Sequence, residues 1–212
     1  MNVCEIILVS IFSPSSNLAG AADGAAWYQE ARPRVDAANP GLFVIDFTGI
    51  QLATVSWIRE GALALCRYAA AIRPEVRLAV TGLSPLVREE LEVALAATGT
   101  LLIAIDLGSN SQPTHPVILG RADPALCDTL QVVEGKSEFD AAVVCRALPG
   151  VGLSAANNRL AALEARGIFT SERRGRSRIY RPLLEDLRYG YRHDREGDRP
   201  VRAQAAKMPR TS

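Results

Sequence analysis

Arg173, Arg174, Arg176 and Arg178 crowd around Gly175, and guanidinium groups spaced this way can neutralise phosphates without reading a base sequence. Gly175 predicts a tight turn between two short strands. Upstream, Ala156, Leu160 and Leu163 recur at i, i+4 and i+7, which predicts a helix seated by that apolar face. Ser154, Asn157, Asn158 and Arg159 then fall towards its opposite side. Asn pairs bidentately with adenine and Arg with guanine, so these four residues and the four arginines form a candidate surface for double-stranded DNA.

A second constellation surrounds Ser56, with Asp46, Thr54, Trp57 and Glu60 nearby. A Ser at the start of a helix caps it, and a phosphate there is favoured by the free amides and the helix dipole. Ser56 is therefore a candidate cap of the helix that starts at Trp57. Asp46, Glu60 and Asp106 are further carboxylates near expected strand ends. No P-loop, HExxH, CxxC or GxSxG motif occurs, and the histidines, His115 and His193, lie outside the expected cores. No catalytic residue, cofactor or metal site is expected. The letters Gly150-Val-Gly152-Leu-Ser-Ala155 match a dinucleotide-binding pattern, but a helix rather than a strand precedes them, so they read as a turn.

The 212 residues, 48% apolar and 22% charged, suffice for one or two globular domains. Charge is unevenly placed. Residues 1–150 carry 10 basic and 16 acidic side chains, and residues 151–212 carry 14 and 7, a net −6 against +7 that gives the overall +1. Such asymmetry points to a polyanion meeting only the C-terminal end. Cys4, Cys66, Cys127 and Cys145 are scattered in apolar runs, as reduced core thiols would be. The first apolar run is too short to span a bilayer and lacks a preceding positive charge, so a cytoplasmic protein without membrane contact is expected.

These residues must be positioned by elements. Strands are predicted over 3–12, 42–47, 76–81 and 101–107, alternating with helices over 25–38, 57–72 and 85–97, which makes an α/β layered domain over residues 1–108. The Gly/Ser/Asn/Pro-rich segment 109–116 reads as a linker. Helices follow over 124–134, 138–148 and 153–166, then a hairpin from strands near 168–171 and 177–181, so that residues 117–184 form a second domain. Residues 185–212 are charged, small or Pro and read as a disordered basic tail.

The order RLAALEARG (159–167), an apolar strand, Arg173-Arg174-Gly175-Arg176 and a Tyr180 strand before Pro182 resembles the winged helix-turn-helix of bacterial transcription regulators. That resemblance implies DNA binding, with a homodimer reading two half-sites. Phe43-Val-Ile-Asp-Phe-Thr-Gly-Ile50 followed by Ser56-Trp-Ile-Arg-Glu60 resembles the STAS family and its STAS-like relatives, in which a strand ending in Asp-Phe leads to a Ser at a helix start. This implies an α/β sandwich with a mixed sheet, a GHKL-type ATPase or kinase partner, Ser56 as phosphoacceptor, and Thr54, Trp57 and Glu60 as partner contacts. Thr54 stands where partner-switching members commonly have Asp, and Trp57 where they have Gly. A transcriptional regulator sensing a signal through a protein partner is one outcome. An adaptor that binds no DNA and uses the winged helix for protein contacts is the other.

Overall fold

The structure, a computed structural model, describes residues 5–11, 16–108, 110 and 112–190. In chain order the elements are β1 (Glu5–Ser10), β2 (Asn17–Leu18), α1 (Ala21–Ala37), β3 (Gly41–Asp46), β4 (Leu52–Ala53), α2 (Val55–Glu60), α3 (Ala62–Ile72), β5 (Val76–Thr81), α4 (Pro85–Thr98), β6 (Leu102–Leu107), β7 (Pro113–Leu119), α5 (Pro124–Val133), α6 (Ala141–Ala147), α7 (Leu153–Ala165), β8 (Phe169–Arg174), β9 (Ser177–Pro182) and β10 (Arg188–Tyr189). The chain is an α/β protein with a mixed sheet.

The main sheet runs β1-β3-β5-β6-β7-β10. β1, β3, β5 and β6 are parallel, β7 is antiparallel to β6, and β10 lies parallel to β7. Each parallel step goes to the adjacent strand in one direction, so right-handed crossovers place α1 to α4 on a single face. Alternate residues separate accordingly. Phe43, Ile45, Val80, Leu102 and Ala104 share a core with Val35, Ile58, Leu63 and Leu91 of those helices. Leu42, Val44, Ala79, Ile103, Ile105 and Ile118 are buried in a second core with Leu126, Leu130, Val144, Leu160 and Leu163. The C-terminal helices thus contribute to the core on the other face of the sheet.

Local chemistry sets the helix starts. Ser84 and Asp123 accept hydrogen bonds from the amides of Val87 and Leu126, each just before a proline in the first turn, where proline's missing N–H costs nothing. Asp140 caps α6 in the same way. The single helix expected over 57–72 starts two residues earlier and divides at Gly61. There α1 crosses α2 so closely that a Cβ on Gly24 would lie 2.6 Å from the Trp57 carbonyl oxygen, an approach that only glycine permits.

Other departures concern the boundaries. Residues 113–116 of the expected linker are the first half of β7, which pairs antiparallel with β6, and Gly108 N donates to the Gln112 carbonyl. The expected tail begins in order: Leu187 and Tyr189 are buried, and Tyr189 Oη accepts from Ala122 N at 3.1 Å and lies 3.3 Å from Cys127 Sγ. The rest of that tail, His193 included, lies outside the described residues, as does Cys4.

Candidate functional site

The C-terminal candidates sit on α7 and on the β8–β9 hairpin. Phe139, between α5 and α6, exchanges backbone hydrogen bonds with Tyr180 of β9. The two rings stack and Phe139 also meets Phe169 edge to face, which fixes the hairpin against the helices. Gly150 and Gly152 lie in the turn before α7, as their helix-flanked position implied.

On α7, Ser154 and Asn158 are exposed, one turn apart on the outward stripe. Asn157 is half-buried and its amide nitrogen donates to the Leu153 carbonyl. Arg159 Nη1 donates to the Ala125 carbonyl of α5 at 3.3 Å, so its guanidinium braces two helices. The structure therefore leaves two of the four expected helix residues facing outward.

The hairpin turn is two residues, Gly175 and Arg176, between the paired Arg174 and Ser177. Gly175 has φ 61°, and glycine carries that conformation without strain. Arg178 Nε donates to Ser171 Oγ at 2.7 Å and Nη2 pairs with Glu164 at 2.8 Å, over the Tyr180 ring. On the other face, Arg174 and Arg181 each bond both Glu138 and Glu172. The Arg174 and Arg181 guanidiniums beside Glu138 hold its carboxyl below the ordinary range, and Arg181 and Arg174 do the same for Glu172. Arg173 and Arg176, both exposed, make no ion pair or hydrogen bond among the described residues. Of the four expected arginines, these two carry unneutralised charge. Arg181 and its two acids had no local signal, because Glu138 and Arg181 lie 43 positions apart.

In the N-terminal half, Thr54 rather than Ser56 caps α2, accepting from Trp57 N at 3.4 Å. Ser56 is half-buried two residues later, its Oγ 3.1 Å from Thr54 Oγ1. Glu90 of α4 already accepts from the Val55 amide at 3.1 Å, so a carboxylate stands on the helix end where a phosphate was expected. Trp57 is 2% exposed, packed on Trp27 and Phe47; its ring is core and offers a partner no surface. Glu60 pairs with Arg59 at 2.8 Å. Asp46 accepts from Thr48 N and Ser10 Oγ, and Asp106 lies 3.4 Å from His115 on an exposed strand end. Among the described residues, no three His, Cys, Asp or Glu side chains gather to hold a metal, and no helix is long and apolar enough to cross a membrane.

No protein-family model, curated protein or solved structure matches the chain.

Proposed function

We propose that the chain is a regulator that binds double-stranded DNA through α7 and the β8–β9 hairpin, with α5, the Phe139 bridge, α6, α7 and the hairpin forming a winged helix-turn-helix. The observation that carries this reading is the pair of free guanidiniums, Arg173 and Arg176, at the tip of a hairpin braced against a helix that exposes Ser154 and Asn158. In such an arrangement the helix enters the major groove and the hairpin tip meets phosphate. Ser154 and Asn158 would face base edges. Arg173 and Arg176 would supply the salt-dependent term. Arg174 and Arg178 would hold the hairpin in shape. Two copies would read two half-sites.

The sheet and α1 to α4 are proposed to receive the signal through a protein partner, in keeping with the STAS-like pattern at β3 and α2. In that region Thr54, Ser56 and Glu60 are half-buried and Trp57 is buried, so a partner would meet the edges of the first three. Recovery of an ATPase or kinase with tagged protein would support a partner-switching system.

The direct test is titration of a mixed duplex pool at low and moderate salt. Binding that weakens steeply as salt rises is expected. No binding at low salt would overturn the DNA reading and leave the adaptor.

A further inference from the structure

β5 and β6 pair only at Ala79↔Ile103 and Val80↔Ala104, whereas the β1–β3 and β3–β5 ladders each run through six registers. Beyond the N-terminal end of the short ladder, a cleft of about 210 Å³ opens between β5, β6, α3 and the turn from α7 into β8. Its lining is apolar at Leu78, Leu101 and Ile168 and basic at Arg67, Arg77 and Arg166.

Two of these arginines are engaged. Arg67 Nη2 donates to the Arg59 carbonyl at 3.3 Å, and Arg166 Nη1 to the Ala162 carbonyl at 3.0 Å. Arg77 is half-buried beneath the α7–β8 turn, where a Cβ on Gly167 would lie 3.6 Å from its Cδ. Among the described residues it makes no hydrogen bond and no ion pair. Glu164 and Glu75 act on it only at longer range, because Glu164 is held by Arg178 and Glu75 by Arg73. Burial pulls its pKa down. A guanidinium partly withdrawn from water without a bonded acceptor is unfavourable, and a carboxylate meeting it in a two-bond fork relieves that cost.

We propose that this cleft binds a small monocarboxylate with a short apolar body, its carboxylate forked on Arg77 and its body against Leu78 and the Ala70 side of α3. Arg77 is, among the described residues, the lining arginine whose guanidinium has no hydrogen-bond acceptor, and its planar edge suits the two-bond fork of a carboxylate. The volume lies below the roughly 300–1,000 Å³ of sites for drug-sized ligands, which limits the body to a short chain or single ring.

The test uses the full chain with para-fluorobenzoate and, separately, para-fluorobenzamide, read by fluorine NMR line width. Saturable broadening by the acid, reversed by hexanoate, is expected, with the amide about tenfold weaker for want of a charge-assisted fork. Arg77→Met keeps the aliphatic stem and should weaken acid binding about tenfold. Ala70→Leu narrows the cleft from the exposed side of α3, leaves every arginine in place, and should weaken it too. Equal binding of acid and amide, no saturable binding of the acid, or unchanged acid binding in folded Arg77→Met or Ala70→Leu would overturn the proposal. Occupancy is read without DNA, so its failure and a failure of DNA binding are separate results.

Discussion

Glu138 and Glu172 decide how much positive charge the hairpin presents. Both carboxyls titrate below their ordinary 4.5, through hydrogen bonds from Arg174 and Arg181. A carboxyl whose pKa falls on folding stabilises the fold above its unfolded value, and that contribution is lost as pH falls through the folded value. The brace is therefore complete above about pH 5 and is lost in the acid range below 4.5. Carboxyl NMR titration of the two glutamates should give midpoints below 4.5, and midpoints at or above it would refute the brace. Glu138→Gln with Glu172→Gln should free Arg174 and Arg181, tightening DNA binding and steepening its logarithmic salt slope by up to about 2. Ser56 allows a different check. With Glu90 already on the Val55 amide, Ser56→Asp should place like charges together and lower Tm by roughly 0.5–2 °C, from about 0.2–0.5 kcal/mol of repulsion. A rise in Tm would mean that the helix end is open to an anion.

Among the elements, the α1–α2 crossing is the most constrained. Gly→Ala inside a helix ordinarily stabilises by about 0.5–1 kcal/mol. At Gly24, however, the new Cβ would press on the Trp57 backbone. Gly24→Ala should therefore destabilise by about 1–3 kcal/mol, a Tm loss of roughly 2–12 °C, and calorimetry showing a gain would contradict the close crossing. The alternation of apolar strands with periodic helices made β1, β3, β5 and β6 legible in the sequence. β7 was not, because Pro113 and Pro116 with their Ser and Asn neighbours carry the composition of a linker. Those prolines are tolerated because β10 pairs with β7 only at Val117 and Ile118, so that side of the strand has no ladder at Pro113 or Pro116 to break. At the site, the hairpin and the α7 face were legible from local pattern. The pairing of Arg174, Arg178 and Arg181 with distant acids was not, since residue type gives no distance between Glu138 and Arg181. Neither was the cleft around Arg77, whose walls come from four separate elements.

Across the whole molecule, the two halves share one sheet. Leu42, Val44 and Ala79 from the first half are fully buried in the core that also holds Leu126, Leu160 and Leu163, and Tyr189 returns to lock β10 beside β7. Unfolding in denaturant should then be a single transition, with tryptophan fluorescence from Trp27 and Trp57 coinciding with far-UV circular dichroism from all the helices. Two separated transitions would show that the C-terminal helices fold independently of the sheet.

The claim that the hairpin tip meets phosphate is tested most directly by the salt dependence of duplex binding in wild type and in Arg173→Ala with Arg176→Ala. Loss of two free guanidiniums should reduce the logarithmic salt slope by about 1.8, while Arg174→Lys, which keeps a cation between Glu138 and Glu172, should leave it nearly unchanged. A double variant with the wild-type slope would contradict the assignment.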